Sequence, residues 1–214
     1  MLNFEFLFPM HISWLGGTAI KLQFKTYSDD VVVVIDPYSP EQGNFPRSLT
    51  ANLAIFTRGQ KDAVTISGNP FILDTPGECD VKGVLVTATT GSQPTHTMIR
   101  LDAENLSIAH LGLAQKALTE EQRDVLSNID ILFVPIGGLY GYDVEAAVKA
   151  VNDLEPRVII PIACQSENDP TAATAAQFCK EMGVAMTKEP ETKIIIKKKD
   201  LPTEDTTVIV LAKE

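Results

Sequence analysis

The order of the predicted elements makes this an α/β (α+β) chain, two sheets packed face to face with helices on the outside. Three observations carry that reading. The first half is mostly short apolar or alternating runs with turn residues between them. The second half alternates apolar runs with capped segments of helical period, as in a βαβ region. A length of 214 residues with 44% hydrophobic content is enough to bury a substantial core as one domain, with no stretch resembling a long linker.

Strands are predicted near 10 to 15, 18 to 25, 31 to 35, 53 to 56, 71 to 73, 81 to 88, 95 to 101 and 105 to 109, where β-branched and apolar residues cluster. The first helix starts at Thr119, an N-cap with Glu120 and Glu121 in the first turn. Asp143 caps the next, in which Val144, Ala147, Val148 and Val151 recur at helical spacing. A third is predicted from about Pro170, at a first-turn position, to Met182, with Gly183 just past its end. Strands at 131 to 134 and 157 to 160 alternate with these helices, and Ile194-Ile195-Ile196 is strand-like. The Lys197-Lys198-Lys199 run that follows reads as a solvated strand end.

A net charge of −10 argues against a nucleic-acid partner, which would call for a basic stripe. Cys79, Cys164 and Cys179 are odd in number, widely spaced and free of any Cys-x-x-Cys pair, which suits a reducing cytoplasm. Residues 1–9 are apolar but lack a basic start and a cleavage site, and are too short to span a bilayer. They are taken as an N-terminal extension to a single domain over 10–214, with no membrane partner.

One segment stands out for its chemistry. Leu53-Ala54-Ile55-Phe56 reads as a buried strand ending in Thr57-Arg58-Gly59-Gln60-Lys61-Asp62-Ala63. This resembles the place where the metallo-β-lactamase superfamily carries Thr-His-x-His-x-Asp-His. Other segments resemble the ascorbate-6-phosphate-lactonase-like branch in order: His11-Ile12-Ser13-Trp14-Leu15-Gly16-Gly17, Val31 to Pro37, Thr75-Pro76-Gly77-Glu78, Val81-Lys82-Gly83-Val84, Ala109-His110-Leu111-Gly112-Leu113, Phe133 to Gly138 and Ile159 to Cys164. The resemblance runs from about Met10 to the C-terminus. It implies the four-layer αββα sandwich of the metallo-β-lactamase type.

The family would use zinc, held by imidazoles and carboxylates, to generate hydroxide at neutral pH. The positions that the resemblance assigns to its ligands are here Arg58, Gln60, Asp62, Ala63, Leu113 and Ala163, and only Asp62 is a ligand type. The expectation is therefore a degenerate zinc site, with no metal and no cofactor. His96, near the loop that usually supplies another histidine, is expected to begin a strand.

Arg58 and Asp62 lie four apart, and three readings stay open: the guanidinium replaces zinc as the charge that neutralises Asp62, the two form a solvated pair, or Arg58, Gln60 and Lys61 make an anion pocket. Asp62, His110 and Cys164 are the residues on which residual catalysis would rest. Against this, buried free cysteine is commonly a small hydrophobe, and His110 reads as a hydrogen-bonded core imidazole. Tyr140 and Tyr142 would line a pocket mouth or an oligomer contact if they do not simply pack in their loop. Asp36 before Pro37 orients a turn near the same cleft.

Two functions follow as expectations. One is a non-catalytic cytoplasmic pseudoenzyme, a binding or assembly module for a small molecule or protein and a candidate homo-oligomer. The other is a hydrolase of a small ester, lactone or phosphoester using a weak mononuclear metal or none.

Overall fold

Alternating burial builds the first sheet. In a computed structural model that describes residues 8–26, 29–139, 141–186 and 189–214, β1 (Met10–Gly16), β2 (Ala19–Lys25) and β3 (Asp30–Ile35) form a meander. Met10, Ile12 and Trp14 of β1 face the core beside Leu22 and Val33, as a period of two requires. The chain continues through β4 (Ser48–Thr50), β5 (Leu53–Ile55), β6 (Thr65–Ser67), β7 (Phe71–Leu73), β8 (Gly77–Val81), β9 (Val84–Thr90), β10 (Thr97–Ala103) and β11 (Leu106–His110). After these come α1 (Glu120–Val125), β12 (Ile131–Pro135), α2 (Val144–Leu154), β13 (Val158–Ile162), α3 (Ala175–Glu181), β14 (Lys193–Ile196) and β15 (Thr207–Val208).

Among the described residues one sheet runs β14-β1-β2-β3-β5-β7, the other β15-β13-β12-β11-β10-β9-β8, and β4 pairs with β6 apart from both. The two large sheets close over one apolar core. Ile12, Leu22, Val33 and Leu53 from the first meet Val86, Met98, Leu101 and Ile108 from the second, each such side chain adding about 1.5–3 kcal/mol by leaving water. On the second sheet α1 packs against β9 and α2 against β12, and α3 lies on α2. This is the α/β sandwich expected from the sequence.

Several boundaries differ from the prediction. The third helix begins at the Thr174 cap, where Thr174 and Gln177 form a reciprocal capping box. Pro170 instead sits in a turn, because Asp169 Oδ1 accepts from the N–H of Thr171 and of Ala172. The predicted strand over 81 to 88 is two strands, β8 and β9, joined at Lys82 and Gly83. Both have positive φ (55° and 81°), the mirror-image turn that suits strand twist. His96 precedes β10 rather than lying in it.

β3 and β5 run parallel in one sheet, and β11, β12 and β13 run parallel in the other. Loops leaving the ends of β3, β5 and β11 meet the turn between β1 and β2 at one edge of the sandwich, and a cleft opens there. The nine-residue extension falls mostly outside the described residues.

Candidate functional site

The cleft has a volume of about 1070 Å³ and is bordered by Gly17, Asp36, Tyr38, Arg58, Asp62 and His96, with Ala63, Leu113, Asn168 and Asp169 among the other residues of its wall. Four of the positions marked by the sequence, Arg58, Asp62, Ala63 and Leu113, therefore share one cavity. Gln60 does not border it: its amide donates to Asp74 Oδ2 at 2.7 Å. Lys61 is exposed and also lies off the wall.

Asp36 is the polar hinge of the floor. It is 1% exposed and takes φ 52° at the end of β3. Its Oδ1 accepts the Thr57 backbone N–H at 2.7 Å, and its Oδ2 accepts the Thr57 hydroxyl at 2.7 Å. A carboxylate taken from water is costly unless so bonded. Thr57 is itself wedged against Gly112, where a Cβ would stand 2.8 Å from Thr57 Oγ1. Glycine is needed there on both counts, since its φ is 58°.

Arg58 does not pair with Asp62. Its guanidinium lies over the Tyr38 ring, 3.8 Å from the centroid, a cation–π contact. Asp62 sits in a turn at φ 65°, so the helical spacing that would bring the two together is absent. Among the described residues no ion pair within 4.0 Å joins them. Tyr38 is fixed by donating its hydroxyl hydrogen to Gly59 O at 2.8 Å while accepting the Arg58 N–H at 3.1 Å. Burial, then the charge of Asp36, pushes its phenol far above the usual range. His96 is held below the ordinary imidazole value by burial and by Arg58, against an opposing pull from Asp36.

His110 is 1% exposed and spends both ring nitrogens on the fold. Nδ1 accepts the Gly112 N–H at 3.1 Å, so Nε2 carries the proton and donates to Thr18 O at 2.9 Å. Neither nitrogen is left to bind an ion or accept a substrate proton. Burial sets its pKa below the ordinary value, ahead of smaller upward pulls from Asp36 and the backbone bonds.

Cys164 borders a separate cavity of about 670 Å³ beside Trp14, and burial pushes its thiol up to about 12. That is the state of an inert thiol. Ala163 is held in the left-handed region (φ 50°) with its N–H on Gly17 O at 2.7 Å. Tyr142 does not open onto a pocket: it is 2% exposed and its hydroxyl donates to Lys116 O at 2.6 Å. Tyr140 lies outside the described residues.

Sequence reasoning missed the far wall, Asn168, Asp169 and Thr171, and the contribution of Tyr38. The run Glu167-Asn168-Asp169-Pro170 is a turn signal that marks a loop, but nothing in it says which cleft the loop faces.

A two-sheet sandwich with its cleft at the ends of parallel strands defines the class, and the comparison with known families agrees. Residues 11–163 match the beta-lactamase superfamily domain, and the chain belongs to that family. A curated relative from Nanoarchaeum equitans, described as a UPF0173 metal-dependent hydrolase, is 34% identical over 58 residues, 27% of this chain and 27% of its own length. The fold is similar to that of a protein from Thermotoga maritima described as a Zn-dependent hydrolase of the metallo-beta-lactamase superfamily, with TM-score 0.77 and 23% identity over 95% of this chain and 100% of the other. It is also similar to Igni18, a metallo hydrolase from Ignicoccus hospitalis, with TM-score 0.63 and 17% identity over 88% and 98%.

These relatives correct one expectation. The sequence reading called for no cofactor, whereas proteins of this family are described as metal-dependent, so a metal ion is what membership leads one to expect. The side chains present do not fit the family's histidine-rich zinc centre. Among the described residues no three His, Cys, Asp or Glu side chains gather where they would hold an ion. His110 and Asp36 are already engaged in the bonds to Thr18, Gly112 and Thr57.

Proposed function

We propose that this chain is a pseudoenzyme of the metal-dependent hydrolase family, a cytoplasmic binding module that holds a small ligand in the cleft beside Arg58. The observation that carries the reading is His110, whose two nitrogens serve Gly112 and Thr18. The Asp36–Thr57 clamp supports it, since the buried carboxylate on the cleft border also serves the fold. The cleft stays open, at about 1070 Å³, with Arg58, Asp62 and His96 on its border, a size and polarity suited to a small molecule. Free thiols at Cys79, Cys164 and Cys179 support a reducing compartment. Among the described residues no helix is long and apolar enough to cross a membrane.

The test is metal analysis of untagged protein purified without chelator, together with assays on ester, lactone and phosphoester panels in the presence of zinc, manganese or iron. Ligand binding that Arg58→Ala weakens, with no turnover under any metal, is expected; chelator-sensitive turnover would overturn the reading. The descriptions of the relatives favour a second one, a hydrolase of a small ester, lactone or phosphoester acting with a single metal ion near Asp62. It predicts that Asp62→Ala abolishes such turnover while the fold survives.

A further inference from the structure

β14 ends the first sheet and β15 ends the second on the same side of the sandwich. Between them lies an apolar groove of about 420 Å³, lined by Ile194, Ile196, Val208 and Met186 among others. Among the described residues β14 pairs with β1 alone, Glu191 just before it bridging to Leu211, so every second backbone N–H and C=O of β14 points to an edge with no described strand. Its side chains alternate. Ile196 is 6% exposed and turned inward, whereas Ile195 is 59% exposed on the outer face. Ile195 stands opposite His11 of β1, whose Nδ1 is buried without a hydrogen-bond partner.

The charge pattern along this edge says what would cover it. Glu189 and Glu191, flanked by Lys188 and Lys193, precede the isoleucines and Lys197 and Lys199 follow them, so both carboxylates lie on one side of the run and the lysine cluster on the other. An antiparallel copy of itself places acid on base, which is the self-complementarity that a two-fold interface requires. We propose that two copies of this chain pair their β14 edges antiparallel about a two-fold axis, with Ile194 facing its own copy. In that register Glu191 meets Lys197 and Lys193 meets Ile195, all on the outer face, and Ile196 meets Thr192 on the inner one. A register shifted to centre on Ile195 sets Lys193 against Lys197, and like charges directly opposite destabilise a sheet. The added strand supplies the missing hydrogen bonds and roofs the groove. Lys198 takes no part, because its ammonium is held by Asp130 at 2.7 and 2.8 Å.

The test is sedimentation velocity on the full chain over a concentration series, with hydrogen exchange at 193–196 as the local readout. A dimer is expected whose β14 amides become protected as it forms. Glu191→Lys should raise its dissociation constant by about tenfold or more. Adding Lys197→Glu to that variant should restore it, since the swapped charges still face each other. Ile195 is exposed, so Ile195→Lys should give a monomer with an unchanged circular dichroism spectrum. A chain that stays monomeric, a dimer indifferent to these changes, or a dimer with unprotected β14 amides would each overturn the proposal.

Discussion

Replacing His110 by leucine separates a structural histidine from a catalytic one. The side chains are similar in volume, so the cavity contribution is small, but the change strips partners from the Thr18 carbonyl and the Gly112 N–H inside the core. Each orphaned buried group costs about 1–3 kcal/mol, and the pair together is expected to cost roughly 3 kcal/mol. For a domain of this size each kcal/mol moves the melting temperature by about 2–4 °C, a drop near 10 °C. The pH dependence gives a second signature. Burial lowers the His110 pKa from its ordinary value, so between the unfolded value of ~6.5 and the lower folded one the unfolded chain binds more protons. Stability then falls as the pH drops through that window, by up to about 1.4 kcal/mol per pH unit for this group. The leucine variant lacks that loss, whereas the like-signed contribution of His96 remains in both proteins, so the difference between urea-derived stabilities should shrink below pH ~6.5. A penalty under about 1 kcal/mol, or parallel pH profiles, would refute the argument. Loss of bound metal at unchanged stability would show that His110 reaches an ion.

Three further outcomes test the scaffold around the cleft. Thr57→Val removes the hydroxyl on Asp36 Oδ2 and should lower stability by roughly 2 kcal/mol in chemical denaturation, because the surviving bond from the Thr57 N–H cannot serve both oxygens. Lys198→Met leaves Asp130, 5% exposed at its side chain, with the Arg157 guanidinium at 3.5 Å and the Ser107 N–H. Since the lysine itself is 37% exposed, solvent screening holds the expected loss to about 1 kcal/mol, read from thermal melts at low and high salt. Cys164 in the folded protein should resist alkylation at pH 8, where a thiol pushed up to about 12 is almost wholly protonated, and react only when urea unfolds the chain. Its rapid modification in native buffer would show the burial to be wrong.

The sandwich was legible because burial repeats locally. Alternation marks β2 and an unbroken apolar run marks β3 from their own residues, and Thr119 and Asp143 announce α1 and α2 through caps that depend on neighbours in sequence. β8 was missed, because Gly77-Glu78-Cys79-Asp80-Val81 turns just Cys79 and Val81 toward the core, too short an alternation to stand out before the strand pairs with β9. The cleft divides in the same way. Arg58, Asp62, Ala63 and Leu113 were found because they lie in the loops that follow predicted strands, and the fold gathers those loops at one cleft. What those residues do was not legible. Spacing put Arg58 beside Asp62, but the choice between a carboxylate and an aromatic face is decided by Tyr38, twenty residues away and held by Gly59. The sequence marks His110 as a hydrogen-bonded core imidazole without naming its partners, and the positions of Thr18 and Gly112 settle which bonds it makes. Local periodicity thus specifies where a site lies, whereas its chemistry depends on long-range partners. The role of a polar side chain at such a position is fixed once the second residue of each of its contacts is known.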